Sequence, residues 1–154
     1  MTSYLTIEGR AQAEIEEKKS RFIAQLCHVE TEEEALSFLE EIRTHHRMAR
    51  HNVYAYILRG TGSTPRMRYS DDGEPQKTAG LPTLDVLRHA ELTDVIVVVT
   101  RYFGGTSLGT GGLVRAYTQA TQRNSGSKYG NDLALCRFNH NATLFPLRSV
   151  YSPA

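Results

Sequence analysis

The stretch VIVVVTRYFGGTSLGTGGLVRAYTQA, from Val95 to Ala120, decides the fold of this 154-residue chain. Its first six residues are an uninterrupted β-branched run, which is typical of a strand buried on both faces. Five glycines then separate that run from a helical pattern of apolar residues that begins near Gly111. A strand, a glycine-rich loop and a helix in this order often hold a phosphate, so the loop needs testing against the known phosphate motifs.

The remaining periodic segments supply the other predicted elements. Alternating apolar residues predict strands over 19–29 and 52–60, and a short strand over 66–70 is expected to form a hairpin with the second of them. Thr31 followed by Glu34 is a capping box, and it predicts the start of a helix whose apolar face carries Ala35, Phe38, Leu39 and Ile42. A further helix is expected from Pro82 to Ala90. Together these elements predict an α/β domain.

Composition indicates a globular protein that is not an evident polyanion binder as a whole. Forty percent of the residues are apolar, 23% are charged and the net charge is +1. No apolar run approaches the ~18 residues that a membrane span needs, and the N-terminus has no apolar signal segment. We therefore predict a cytoplasmic protein without a membrane interaction.

The glycine loop matches neither classical nucleotide motif. No lysine follows Gly109 as a P-loop requires, and Val114 stands where the third glycine of a dinucleotide fingerprint belongs. Glycine backbone at a helix N-terminus still suits an anion, and flanking arginines add positive charge. The alternative is a tight strand-to-helix connection without a ligand. The candidate anion site comprises Arg101, Gly104, Gly105, Gly109, Gly111 and Arg115.

A second polar segment, SDDGEP at 70–75, concentrates carboxylates in a predicted loop. Asp71, Asp72 and Glu74 are oxygen ligands of the kind that hard cations prefer, but the positions that follow do not complete a calcium loop. The same residues are ordinary turn formers, so we assign no metal site. His51 begins the strand that leads towards this loop.

The segment from Arg43 to Arg68 is basic, with three histidines and no acidic residue. Interleaved tyrosines could stack on bases, so the segment is a candidate nucleic-acid patch. The alternative is a solvated face whose arginines pair with the acidic residues between Glu30 and Glu41. The candidate patch comprises Arg43, Arg47, Arg50, Arg59, Arg66, Arg68, Tyr54 and Tyr56.

Four segments in this order resemble the IMPACT family in its bacterial form: EEKKSRFIA, RMARHNVYAYIL, SDDGEPQKTAGLPTLDVL and VTRYFGGTSLGTGGLVRAYTQA. The resemblance covers about residues 4–122. It implies a ribosomal protein S5 domain 2-like fold, with a mixed sheet backed by helices, and it implies no established catalytic residue. The family positions that carry over as a motif cleft are Lys19, Ser20, His51, Asp71, Asp72, Glu74 and Thr78.

The resemblance also bears on domain organisation. It places an IMPACT-type domain at residues 1–122, whereas bacterial members usually continue into a smaller ferredoxin-like domain. Residues 123–154 match neither the family continuation nor a periodic pattern. We therefore expect an irregular tail, and we interpret it as a truncation or frameshift near residue 123.

Eukaryotic members of the family regulate translation by binding the activator of the amino-acid-starvation kinase, but they carry a partner-binding domain ahead of this one, so the resemblance does not extend that function to this chain. For bacterial members the resemblance implies nucleic-acid or ribosome-associated roles. We predict a translation-linked regulatory binding protein that contacts RNA, the ribosome or a ribosome-associated protein. An enzyme acting on a phosphorylated or nucleotide-like ligand, and a pure protein-interaction domain, are the alternatives. No cofactor is predicted, and a second copy of the chain is a further candidate partner.

Overall fold

The structure is a computed structural model that describes residues 4–60 and 64–123, together with the backbone of residues 135–138 and 144–146. The elements follow one another as β1 (Tyr4–Ile7), β2 (Arg10–Glu17), β3 (Ser20–His28), α1 (Glu32–His45), β4 (His51–Leu58), β5 (Arg66–Ser70), α2 (Gly80–His89), β6 (Val95–Tyr102), α3 (Gly109–Gln122), β7 (Leu135–Phe138) and β8 (Leu144–Pro146).

Five strands form one sheet in the order β2-β3-β6-β4-β5. The β-branched run lies in β6 at the centre of this sheet, and Val95 to Val99 are fully buried, as expected for a strand covered on both faces. The predicted α/β class is confirmed. The pairing refines the mixed sheet that the resemblance implied, because each pair of neighbouring strands in this sheet is antiparallel.

Helices cover both faces of the sheet, and the side chains of β6 alternate between two cores. Val97 and Val99 belong to a cluster with α2 and α3, whereas Ile96 and Val98 belong to a cluster under α1. Directly opposed residues of antiparallel strands point to the same face, so the neighbouring strands follow the same division. We call the two sides the α2–α3 face and the α1 face.

Helix α1 begins where the capping box predicted. The Thr31 hydroxyl accepts a hydrogen bond from the Glu34 amide at 3.1 Å, and the Glu34 carboxylate accepts one from the Glu30 amide at 2.7 Å. Its apolar face, from Ala35 to Ile42, is buried against the sheet as predicted.

Strand β2 was not predicted, and the reason lies in its turn. It pairs with β3 through a two-residue turn at Lys18 and Lys19, both of which have positive φ angles of 45° and 69°. Such turns are normally marked by Asn-Gly or Asp-Gly, so two lysines leave no hairpin signal. Helices α2 and α3 also begin two residues earlier than expected, at Gly80 and Gly109.

A second sheet joins the N-terminus to the tail in the order β1-β7-β8. Both pairings are antiparallel, with Tyr4 opposite Phe138 and Phe138 opposite Leu144. The expectation of an irregular tail is therefore wrong for 135–138 and 144–146. Ladder hydrogen bonds use backbone groups, so a segment without a periodic pattern can still pair where a strand offers its edge. The other residues from 124 to 154 lie outside the described part of the chain.

Candidate functional site

The motifs of the sequence meet at one end of the five-stranded sheet. Arg101, near the end of β6, stands opposite Phe22 at the start of β3 and opposite His51 at the start of β4. The SDDGEP loop follows β5 and folds over the same end, because the carbonyl of Asp72 and the carboxylate of Glu74 both reach His51.

An ion pair between Arg101 and Glu74 forms the centre of this region. Arg101 Nη1 donates to both carboxylate oxygens of Glu74, at 3.0 and 2.8 Å. The two residues are only 5% and 8% exposed, so the pair is removed from solvent. Burial of two charges is tolerated because each one compensates the other and both make hydrogen bonds. Among the described residues, however, no partner satisfies the buried Arg101 Nε.

Three further side chains complete what we call the motif cluster: Ser20, His51 and Tyr117, around Arg101 and Glu74. The Tyr117 hydroxyl donates to Glu74 at 2.6 Å, and burial, reinforced by the Glu74 charge, raises the pKa of Tyr117 well above its ordinary value. Ser20 Oγ accepts from Arg101 Nη2 at 3.3 Å. His51 Nδ1 lies 2.8 Å from the Asp72 carbonyl oxygen, and its Nε2 lies 3.4 Å from Glu74.

The sequence patterns did not single out Tyr117 as a site residue. Tyr117 lies within the apolar repeat of α3, and a tyrosine at such a position is predicted to be an ordinary core residue. Its ring does pack in the core, 5.1 Å edge-to-face from Phe22. The signal available was the phenol itself, since a buried tyrosine hydroxyl requires a hydrogen-bond partner.

The carboxylates of Asp71 and Asp72 accept hydrogen bonds from backbone amides and not from side chains of the motif cluster. Asp71 accepts from the amides of Lys77, Ala79 and Gly80, at 2.9, 3.2 and 2.8 Å, and so satisfies donors at the start of α2. Asp72 Oδ2 accepts from an amide of β4, at 2.7 Å. Both carboxylates therefore act as structural acceptors. Of the residues in the predicted cleft, Ser20, His51 and Glu74 lie in the motif cluster.

The remaining members of the predicted cleft also make local contacts. The Thr78 hydroxyl donates to the Pro75 carbonyl at 2.5 Å, which closes the loop on itself. The Lys19 side chain is exposed, whereas its carbonyl packs against Gly104. A Cβ on Gly104 would lie 2.0 Å from the Lys19 carbonyl oxygen, so only glycine permits this approach. Gly104 N also donates to Ser20 Oγ at 3.2 Å.

The other glycines of the loop surround an open helix start. Gly105 and Gly109 have φ angles of 92° and 73°, and no atom lies near the position of a Cβ on either residue. Helix α3 begins at Gly109 without a side-chain cap. The Arg115 guanidinium folds back over this turn, 3.5 Å from where a Cβ on Gly111 would lie. The loop thus combines close packing at Gly104 with accessible backbone at α3, and the anion site there stays a prediction.

The structure divides the six arginines of the predicted nucleic-acid patch. Arg66 and Arg68 lie 3.2 and 3.8 Å from the Glu32 carboxylate. Arg43 lies 3.8 Å from Glu40, and Arg59 stacks on the Tyr4 ring at 4.0 Å. Arg47 and Arg50 lie at the other end of β4, beyond α1.

The tyrosines of that patch do not form a base platform. Tyr56 is 2% exposed and donates its hydroxyl to Glu32, so a base cannot reach its ring. Burial and this hydrogen bond raise the pKa of Tyr56 to about 12. Tyr54 is half-buried and lies parallel to Tyr56, with ring centroids 6.3 Å apart. The alternation of β4 placed both on the α1 face, where the sheet and α1 enclose them.

A different aromatic residue is available beside the cations. Phe103 is 42% exposed, and the Arg50 guanidinium lies 4.7 Å from its ring centroid. Lys18 and Arg115 line a cavity of about 80 Å³ beside the start of α3, together with Glu17 and Gly112. We define the basic rim as Lys18, Lys19, Arg47, Arg50, Phe103 and Arg115, all of them exposed.

Within residues 4–60 and 64–123, no group of three or more His, Cys, Asp or Glu side chains is placed to hold a metal ion. No helix in the described part of the chain is both long and apolar enough to cross a membrane.

The sequence is similar to those of known proteins. The sequence model of the Impact N-terminal domain matches residues 18–124. The chain is 47% identical over 116 residues to the IMPACT family member YvyE of Bacillus subtilis, covering 75% of this chain and 52% of YvyE. It is 42% identical over 117 residues to the IMPACT family member YigZ of Escherichia coli, covering 76% of this chain and 57% of YigZ.

A crystal structure described as that of a hypothetical protein superposes with a TM-score of 0.81 at 37% identity, over 89% of this chain and 64% of that one. The chain spans about half the length of the curated relatives that it matches. The sequence match includes all five residues of the motif cluster, from Ser20 to Tyr117. The chain belongs to the IMPACT family.

Proposed function

We propose that this protein is a translation-linked regulatory binding protein that contacts RNA through the basic rim. The link to translation rests on membership of the IMPACT family, because its eukaryotic members are translation regulators. The RNA contact rests on the rim itself. Free RNA and RNA exposed on the ribosome present the same phosphate and base chemistry, so both are candidate targets.

One observation carries the proposal: no cation of the rim forms a salt bridge with the described part of the chain. No salt bridge within residues 4–60 and 64–123 involves Lys18, Lys19, Arg47, Arg50 or Arg115. Unpaired cations on a surface attract phosphate and release its counterions on binding. At the far end of the sheet, Arg66 and Arg68 instead share the carboxylate of Glu32.

The aromatic member of the rim provides the second kind of contact that single-stranded RNA uses. Phe103 leaves 42% of its surface exposed at the end of β6, beside Arg50. Stacking of a base on such a ring contributes about 1–3 kcal/mol and is tolerant of sequence. A surface with cations around one exposed ring favours single-stranded RNA with little sequence preference.

The test is a titration of a fluorescent single-stranded RNA at two salt concentrations. If all five cations neutralise phosphates, the slope of log affinity against log salt is at most about 3.5, from ~0.7 for each phosphate. The double substitution Arg47→Ala with Arg50→Ala should lower that slope by about 1.4. Arg66→Ala with Arg68→Ala is the matched control, because it removes equal charge at the far end and should change the slope little.

Phe103→Leu separates stacking from charge. It should weaken binding while leaving the salt slope unchanged, since stacking releases no counterions. Affinity no better than that of a size-matched neutral protein would refute RNA binding. A loss confined to the control pair would place the contact on β5 instead.

The alternative of an enzyme acting on a phosphorylated ligand requires free acids or bases beside the glycine loop. In the described residues Asp71 and Asp72 accept from backbone amides, and Glu74 accepts from Arg101 and Tyr117. The proposal therefore does not assign them a reaction. Thermal stabilisation by a nucleotide with magnesium, lost in Asp72→Asn, would favour the enzyme instead.

A further inference from the structure

Strand β5 is an edge strand of the five-stranded sheet, and its residues from Arg66 to Tyr69 are exposed. It pairs with β4 on one side, from Tyr54 opposite Ser70 to Leu58 opposite Arg66. No strand in the described part of the chain pairs with its other side. An edge of this kind presents unpaired N–H and C=O groups to solvent, and it can accept a further strand.

The side chains of β5 divide into an apolar row and a charged row. Met67 and Tyr69 lie on the α2–α3 face, and they are 43% and 38% exposed. Arg66 and Arg68 lie on the α1 face, opposite Leu58 and Tyr56. A strand that pairs with β5 would extend both rows, because opposed residues share a face.

The charged row carries more positive charge than its local partner can balance. Both arginines share the single carboxylate of Glu32, at 3.2 and 3.8 Å. Their side chains are more than half exposed, so both remain accessible from the open edge. One carboxylate cannot neutralise two guanidinium groups, and the row therefore keeps a net positive charge.

We propose that β5 is a docking edge for an extended segment of a partner protein in which acidic and apolar residues alternate. The apolar residues of that segment pack beside Met67 and Tyr69, and its carboxylates face Arg66 and Arg68. Backbone hydrogen bonds hold the segment, and the two rows select its sequence. This surface is separate from the basic rim, because it lies at the other end of β4.

The same charges oppose pairing of two copies through β5. A two-fold axis normal to the sheet would set the arginine row of one copy beside that of the other on the same face. Like charges directly opposite each other destabilise a strand pair, and charged residues on edges are a common protection against self-association. The charges on β5 therefore disfavour pairing with a second copy of β5 and favour pairing with an acidic strand.

The experiment uses the full chain and an amidated hexapeptide of alternating valine and glutamate. Backbone amide shifts and hydrogen exchange report where it binds. We expect slower exchange at alternate amides of β5, because half of them face the open edge. The same peptide with every backbone amide N-methylated should lose binding, since it keeps the charge but has no N–H left to donate to the ladder. Peptides with three valines followed by three glutamates should bind more weakly.

Arg66→Gln with Arg68→Gln should weaken binding about fivefold, as expected for the loss of two cross-strand charge pairs. Arg47→Gln with Arg50→Gln is the matched control and should leave it unchanged. Binding that survives N-methylation, or shifts at the basic rim rather than at β5, would overturn the proposal. So would the absence of any shift at millimolar peptide. Since the N-methylated peptide is tested on the unaltered protein, the result does not depend on how a variant folds.

Discussion

The buried ion pair makes the sharpest prediction about stability, through the substitution Glu74→Gln. The change preserves shape but removes the charge that compensates Arg101, which would keep only Ser20 and the neutral amide as acceptors. Loss of one partner from a buried pair typically costs about 3–5 kcal/mol. With a urea m-value of about 2 kcal/mol/M, the unfolding midpoint should fall by about 2 M.

The matched control is Glu41→Gln. Glu41 also pairs with an arginine through both oxygens, Arg10 at 2.5 and 2.9 Å, but both side chains are about half exposed. Exposed pairs contribute at most about 1 kcal/mol, so this midpoint should move little. Circular dichroism in urea measures both variants. Equal losses for Glu74→Gln and Glu41→Gln would refute the reasoning, because burial is the difference between the two pairs.

Three further predictions concern stability. Gly104→Ala should cost about 3 kcal/mol or more, because its Cβ would overlap the Lys19 carbonyl, and thermal unfolding measures the loss. Thr31→Ala should cost about 1 kcal/mol by removing the cap on the Glu34 amide, whereas Thr31→Asn should restore it. Burial raises the pKa of Asp94 in the folded protein, so its contribution to stability is greatest at low pH and is lost as pH rises through that pKa. Asp94→Asn should flatten stability over that window in a series of urea titrations.

Local patterns proved sufficient for elements whose signals lie within a few residues. The capping box predicted the start of α1, and the β-branched run predicted a strand buried on both faces. They were insufficient for β2, because Lys18 and Lys19 adopt left-handed backbone without the usual glycine. Strands β7 and β8 were not predicted for a related reason, since the pairing of β7 depends on β1, which is far away in the chain.

The contacts of the candidate site likewise depend on residues that are far apart in the sequence. Proximity of Glu74 to Arg101 spans 27 positions, and proximity of Ser20 to Arg101 spans 81, so no local pattern contains them. The basic segment illustrates the opposite error. Arg50 and Arg59 are close in sequence, but an eight-residue strand between them separates their backbones by about 30 Å.

The sequence by itself determined the central strand, the start of α1 and the family, because these depend on residue type and short spacing. Only the tertiary structure decided which polar residues are partners. Charge pairing depends on distance and solvent exclusion, and both are set by strand register. The same register buried Tyr56, paired Arg66 and Arg68 with Glu32, and left Phe103 exposed among unpaired cations.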